Sequence, residues 1–277
     1  IIMKERYLKK ILILGASGFI GGALYKELCS YFNTYGTYHT GKIYANNKHF
    51  FPFDMQKDDL IETLSRVRPD VIISALRGDF DSQIDTHLDV VDYCKATGSK
   101  VIFLSSANVF DAFSNFPSYE FDKTLSMSPY GKFKIKIETA LMQLPEKNYV
   151  IARLPMVFGS HSPRIKELKY HLEINKAYEV FPDLVMNVTN IVILTKQLHY
   201  IINREIGGIF HLGSTDLVHH NEFIEEIIKV LGYHKPLLKN VYTSNFDRFL
   251  AVLPKDNKLP IHLNFGHTEV INEMNII

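Results

Sequence analysis

The chain of 277 residues contains no tryptophan and only two cysteines, Cys29 and Cys94. Both thiols fall in stretches with helical spacing, which excludes a disulfide framework and suits a reducing cytoplasm. An excess of either charge is also missing, with 31 Lys and Arg against 30 Asp and Glu. That removes the electrostatic footprint of a nucleic-acid binder or a membrane-surface protein. No apolar run reaches transmembrane length. Residues 1–10 lack the apolar centre of a signal peptide, so no leader is expected. The twelve histidines show no metal-ligand spacing, and no metal site is expected. His219 and His220 are adjacent and read as surface residues. There is no short-period repeat and no low-complexity tract. What is left is a globular chain long enough for one large or two fused α/β units.

One stretch organises the chain. Lys10-Ile11-Leu12-Ile13-Leu14 reads as a buried strand, Gly15-Ala16-Ser17-Gly18 as a tight turn, and Phe19-Ile20-Gly21-Gly22 as the start of a helix continued by Ala23, Leu24 and Leu28. Each glycine has a physical task in holding a dinucleotide pyrophosphate. Gly15 turns the chain off the strand, Gly18 lets backbone approach phosphate, and Gly21 lets the helix pack close to the strand. The helix then offers unpaired N–H groups and a positive dipole end to the anion. The spacing is G-x-x-G-x-x-G rather than the G-x-G-x-x-G of the common fingerprint. A first helix is expected over 18–32.

The second strand is expected over 34–40. Its end carries His39, Thr40 and, shortly after, Lys42. The acid that commonly holds the ribose 2′-hydroxyl is missing there, which favours NADP(H), with NAD(H) the alternative. A short third strand ends in Asp54, an acceptor for the adenine amino group, and Asp58 is placed to cap a helix over 59–67. Residues 69–75 and 100–106 form unbroken apolar runs without alternation, the pattern of strands buried on both faces of a parallel sheet. Ser74 and Ala75 are small residues at a strand's carboxyl end, where cofactors bind in such sheets. Between these strands a helix is expected over 82–97, stopped by Gly98. The repeated β-α-β alternation predicts an α/β fold with a Rossmann-type doubly wound parallel sheet.

The fifth strand ends in Ser105-Ser106-Ala107-Asn108-Val109-Phe110. Some twenty residues on, Ser128-Pro129-Tyr130-Gly131-Lys132-Phe133-Lys134 opens a helix running to about residue 144. Tyr130 and Lys134 stand four apart, one turn apart on one helix face. A phenol at its ordinary pKa is a poor acid–base catalyst at neutral pH, and a neighbouring ammonium favours the phenolate. A hydroxyl from Ser106 would hold a carbonyl or alcohol oxygen beside the phenol. Hydride moves between nicotinamide and the same carbon while Tyr130 handles the proton.

On Gly15 to Gly21, Ser105 to Phe110, Tyr130 to Lys134 and Arg153 to Gly159, the sequence resembles the extended short-chain dehydrogenase/reductase family. The run Ser105-Ser106-x-x-Val109-Phe110-Asp111 and His211-Leu212-Gly213 resemble its dTDP-4-dehydrorhamnose reductase branch. The resemblance implies a catalytic Ser106–Tyr130–Lys134 triad, with Lys134 also hydrogen-bonding the nicotinamide ribose. It implies cofactor contacts from Gly15, Ser17, Gly18, Phe19 and Ile20, from His39, Thr40, Asp54 and Met55, and from Ser74, Ala75 and Leu76, besides Tyr130 and Lys134. The substrate would meet Ser106, Ala107, Asn108, Tyr130 and Met156, and the charge of Arg77 makes it a candidate for an anionic substrate or a cofactor phosphate. Arg153 to Gly159 reads as a sixth strand followed by a turn, which the resemblance places at the cofactor–substrate junction. Three places depart from the branch. Ala107-Asn108 replaces Asp-Tyr, Met156 stands where a tryptophan is usual, and Leu76-Arg77-Gly78-Asp79 replaces an Ala-Tyr-Thr pattern. Dehydration would need an Asp-Glu couple at Ala107-Asn108, so it is not expected.

The expected organisation is an NAD(P)-binding domain over 1–160 and a mainly substrate-binding domain over 161–277, with a segment near 185–212 returning to the first. His161, Arg164 and Lys166 are candidates for a nucleotide diphosphate. A helix capped by Asn221 is expected to bury Phe223, Ile224, Ile227 and Ile228. Residues 253–277 show no pattern that places them. The expected activity is NADP(H)-dependent reduction of a keto group on a nucleotide-linked sugar. The alternatives are a nucleotide-sugar epimerase and a non-catalytic NAD(P)-binding regulatory protein. A homodimer is compatible with the chain, though no stretch specifies an interface.

Overall fold

In chain order the first elements are β1 (Lys10–Leu14), α1 (Phe19–Leu28), β2 (Asn33–Tyr38), β3 (Phe50–Pro52), α2 (Leu60–Val67), β4 (Val71–Ser74), α3 (Phe80–Thr97), β5 (Lys100–Ser106) and α4 (Pro129–Leu141). They come from a computed structural model that describes residues 8–275, without the side chains of Lys42 and Asn275. The expectation for residues 1–7 and for the Lys42 side chain lies outside the described residues. There follow β6 (Tyr149–Leu154), β7 (Met156–Phe158), α5 (Pro163–Glu173), β8 (Tyr178–Val180), β9 (Leu184–Met186), β10 (Val188–Asn190), α6 (Ile191–Asn203) and β11 (Gly208–His211). The chain continues through β12 (Val218–His219), α7 (His220–Val230), β13 (Leu238–Asn240), β14 (Arg248–Leu250) and α8 (His267–Asn272).

Seven strands make one sheet in the order β11-β6-β5-β4-β1-β2-β3. Its pairings of described register are all parallel. The order reverses between β1 and β4, the switch point of a doubly wound sheet. Ile11 to Leu14 of β1 and Ile72 and Ile73 of β4 are fully buried, as unbroken branched runs require. The chain packs as two units. The first runs through Leu104 and adds Lys136–Ile151 and Ile201–Gly208; the second comprises Ser105–Ile135, Ala152–Tyr200 and the chain from Ile209 on. In the second unit β7 pairs with β10, β9 lies between β12 and β14, and β8 pairs with β13. Its core joins Phe158, Ile165 and Leu168 to Phe223, Ile224, Ile227 and Ile228 of α7. No described helix is long and apolar enough to cross a membrane.

Several local details differ from expectation, each for a stated reason. α2 starts one residue later than Asp58 would allow, so Asp59 caps it by accepting from Ile61 N at 2.8 Å. Asp58 instead accepts from Asp54 N at 2.7 Å. Asp79 caps α3 by accepting from Ser82 N, so this helix begins at Phe80 rather than Ser82. Gly98 does end it, in the left-handed conformation at φ 74°. Cys29 follows the last residue of α1 and is exposed; Cys94 lies within α3, where burial pushes its thiol up to about 12. The N-cap of α7 is His219, not Asn221. His220 is buried rather than at the surface, because adjacent residues at a helix start point apart; its Nδ1 accepts from Phe181 N at 3.3 Å. Residues 253–277, without an expected placement, include a 3₁₀ turn at Ile261–Leu263 and α8.

Two buried imidazoles make stability depend on pH. Burial, aided by the nearby Arg153 charge, holds His211 down to about 3; burial and Arg164 hold His220 down to about 4. Both values lie below the ordinary 6.5 of an unfolded histidine. Below that pH the unfolded chain binds protons that the folded chain refuses, so stability is lost as pH falls from 6.5 toward these values. Each ring contributes a slope of about 1.4 kcal/mol per pH unit in that window. Denaturant unfolding at pH 7, 6 and 5 is expected to show this slope, and His211→Gln to make it shallower. An unchanged slope in the variant would mean that His211 is protonated in the fold.

Candidate active site

Gly15 sits at the carboxyl end of β1 with φ +79°, a conformation that favours glycine. A Cβ there would stand 2.9 Å from the carbonyl oxygen of Ala75, just past β4. At Gly21 a Cβ would meet Gly15 O at 2.2 Å, so α1 packs on the turn as closely as glycine allows. Gly18 N donates to Gly15 O at 3.0 Å, and Gly15 N donates to the Thr37 hydroxyl at 2.9 Å. Gly18 caps α1 with no side-chain bond, and the first turn holds no acid. Its N–H groups and dipole are therefore available to an anion.

A cavity of about 320 Å³ opens beside this turn. Of the residues expected to bind cofactor or substrate in this unit, it brings together Gly15, Ser17, Gly18, His39, Asp54, Met55, Ala75, Leu76 and Arg77. Thr37, Phe53, Gln56, Gly78 and Asp79 complete the lining and were not expected. Phe19, Ile20, Thr40 and Ser74 are not part of it. Ser74 is buried, with its hydroxyl bonded to His87 Nε2 at 2.7 Å. The Asp54 carboxylate is lowered from its ordinary pKa by the Gln56 N–H and then by Lys57, whose Nζ stands 3.0 Å away. His39 Nε2 lies 3.4 Å from the same carboxylate, which holds the ring at the cavity edge. A larger groove of about 530 Å³ lies at the amino ends of β1 and β2 and contains none of the expected site residues.

The second unit carries the residues expected to take part in acid–base chemistry, Ser106, Tyr130 and Lys134. Ser106 ends β5, and its hydroxyl donates to Asn108 Oδ1 at 3.0 Å and accepts from Asn108 N at 3.2 Å. Ala107 is buried and Asn108 half-buried in the 3₁₀ turn that follows. Tyr130 is the second residue of α4 and is 40% exposed. Lys134 is buried one turn on, its Nζ 5.8 Å from the centre of the Tyr130 ring and 5.1 Å from that of Phe133. Tyr130 and Phe133 meet edge to face with centres 5.3 Å apart. Ser128 precedes this helix and accepts from Gly131 N at 3.1 Å. A serine followed by proline at the helix start is a legible cap signal, yet sequence reasoning gave Ser128 no place in the site.

Met156 is half-buried on β7. His161, Arg164 and Lys166 are exposed at and just before the start of α5. Arg153, which opens the stretch read as strand six and the turn after it, is sealed within β6. It donates from Nη1 to the Glu120 carbonyl at 2.8 Å and lies over the Phe110 ring at 4.9 Å. Glu120 is itself buried, and its carboxylate accepts from the backbone N–H groups of Lys255, Asp256 and Asn257. No local sequence signal marks it.

A parallel sheet that reverses order at β1 and β4, with a glycine turn and an uncapped helix at that point, defines a Rossmann-type α/β fold. The chain belongs to the RmlD substrate binding domain family, which matches residues 9–260. Its fold is similar to that of dTDP-4-dehydrorhamnose reductase from Bacillus anthracis, solved in complex with NADP. The identity is 17%, the TM-score 0.78, and the alignment covers 98% of this chain and 99% of that one. UDP-glucuronic acid 4-epimerase from Bacillus cereus, solved with NAD, is similar at 19% identity and a TM-score of 0.73, over 96% and 98% of the two chains. Methionine adenosyltransferase 2 subunit beta of Bos taurus is 26% identical over 161 residues, 54% of this chain and 48% of that protein. The chain thus matches about half the length of its curated relatives.

Proposed function

We propose that this protein is an NADP(H)-dependent oxidoreductase that reduces a keto group on a nucleotide-linked sugar. The observation that carries the reading is the placement of the buried Lys134 one turn along α4 from the part-exposed Tyr130, with its Nζ 5.8 Å from the centre of that ring. The residues around Gly15 fit a dinucleotide, because the turn leaves no room for a Cβ against Ala75 and the start of α1 is uncapped. Gly15, Ser17 and Gly18 would hold the pyrophosphate, and His39 and Arg77 would face a 2′-phosphate. When bound, the nicotinamide supplies hydride. Ser106 would orient the substrate oxygen, Tyr130 would deliver the proton from its phenol, and the Lys134 ammonium would favour the phenolate left behind. In this reading residues 1–160 bind the dinucleotide and 161–277 mainly the substrate, with a segment near 185–212 returning to the first. The free thiols Cys29 and Cys94 agree with work in a reducing compartment such as the cytoplasm.

The test is a screen of dTDP-, UDP- and GDP-linked keto-sugars with NADPH oxidation as readout, beside NADPH and NADH titrations. Turnover of at least one sugar and tighter NADPH binding are expected. Tightly held NAD(H) that co-purifies and is regenerated each turnover would point to an epimerase instead. A second reading has its own support: the curated relatives are beta subunits of methionine adenosyltransferase 2, and Ala107, Asn108 and Met156 depart from the reductase pattern. Dinucleotide binding without turnover of any sugar would favour such a non-catalytic, regulatory role.

A further inference from the structure

The segment between the Ser106 turn and α4 converges on one carboxylate. Asp111 follows the 3₁₀ turn Ala107–Phe110. Its Oδ1 accepts from Met127 N at 2.6 Å, and its Oδ2 accepts from the Ser126 hydroxyl at 2.8 Å and from the Ser128 hydroxyl. Because the Ser128 proton is committed to Asp111, its lone pair is turned to Gly131 N, 3.1 Å away. Ser128 O also accepts from Lys132 N at 3.0 Å. The first turn of α4 is thus capped by a hydroxyl that a carboxylate orients, with negative charge where the helix dipole favours it.

Gly131 completes the fixation. A Cβ there would stand 2.1 Å from the Ser126 hydroxyl and 2.3 Å from Asn108 O. The helix start is therefore pressed against two groups at once. Ser126 is anchored by Asp111, and Asn108 holds the Ser106 hydroxyl. Tyr130 lies between the capping residue and this contact.

We infer that Asp111 is a positioning residue that sets the Tyr130 phenol relative to Ser106, acting through Ser126 and Ser128. The inference rests on the proposed reductase reading for its catalytic consequence and on the hydrogen bonds alone for its geometry. An asparagine at 111 cannot reproduce the arrangement. Three donors converge on the side chain, and an amide offers one acceptor oxygen and adds two donors of its own.

The test uses the full chain labelled with 3-fluorotyrosine, with the Tyr130 ¹⁹F line assigned by its loss in Tyr130→Phe. Asp111→Asn and Ser128→Ala are each expected to move that line. Each should lower kcat for keto-sugar reduction about tenfold, a modest misplacement cost, with KM within about twofold. Ser128→Thr, which keeps the hydroxyl, is expected to restore both. A general loss of stability would lower Tm without this kcat-against-KM split. The inference is overturned if the Tyr130 line stays in place in both variants, or if kcat is unchanged in an enzyme that turns over. If the line moves in both variants while the wild-type chain reduces no keto-sugar, the positioning stands and the reductase reading falls.

Discussion

Tyr130→Phe is expected to lower kcat for keto-sugar reduction about a thousandfold, within the range that positioned acid–base groups contribute, while NADPH affinity stays within about threefold. The substitution isolates the phenol. Phenylalanine keeps the ring, so the edge-to-face contact with Phe133 and the packing of the buried Lys134 beneath it persist. Only the oxygen that would carry the proton is removed. The residues around Gly15 proposed to hold the dinucleotide belong to other elements and are untouched. An effect on kcat without an effect on cofactor affinity is what a group acting in the transition state produces. Steady-state kinetics with a sugar identified by the screen, and a fluorescence titration of NADPH, measure the two quantities. Turnover within about threefold of wild type would remove Tyr130 from the chemistry. A parallel loss of NADPH binding would place its role in cofactor contact instead.

What could be read from the chain alone follows the range of the interactions involved. The strand, glycine turn and helix of residues 10–28 form from neighbours in sequence, and their burial and the left-handed Gly15 follow the reading. The Tyr130–Lys134 pair is likewise local, set by helix periodicity. Helix starts were less legible where two acids compete. Asp58 and Asp59 are equally good caps by type, and only the backbone decides that Asp59 serves α2. The cavity lining was half legible. Strand ends near Gly15, Asp54 and Ala75 were foreseen, but Gln56 and Gly78 enter it through loop paths that have no sequence signature, and Thr37 enters it from within β2. Ser74 has the right residue type at the right strand end, yet a histidine thirteen residues on takes its hydroxyl. His220 went inward because the core of the second unit lies on that side of α7. The contacts of Glu120 with residues 255–257 span more than 130 positions, and no window of sequence contains them.

Those long-range contacts give the second large effect. Glu120→Ala is expected to lower the unfolding free energy by about 3 kcal/mol, the scale of hydrogen bonds to a charged acceptor whose several donors do not add independently. Glu120 is 1% exposed, and its carboxylate gathers the N–H groups of Lys255, Asp256 and Asn257 at 3.1–3.4 Å. Alanine strips these donors of their acceptor in a buried segment whose backbone carbonyl, at Glu120, accepts from Arg153 Nη1. The damage reaches further because the same chain segment is a strap. Ser118 N donates to Ala251 O at 2.9 Å, Leu253 N donates to Ser118 O at 3.0 Å, and Leu253 O is 3.1 Å from His211 Nδ1. For a chain of this size the loss corresponds to a fall in Tm of about 6–12 °C. Denaturant unfolding measures the free energy, and hydrogen exchange at residues 251–257 locates it. Exchange there is expected to speed up before the rest of the fold opens. Glu120→Gln should lie between wild type and alanine, because it keeps the shape and one acceptor oxygen but turns an NH₂ toward donors. A change below about 0.5 kcal/mol for alanine, the size of an ordinary surface substitution, would show that water replaces the carboxylate and that the strap is held by its backbone pairing with residues 114–118 alone.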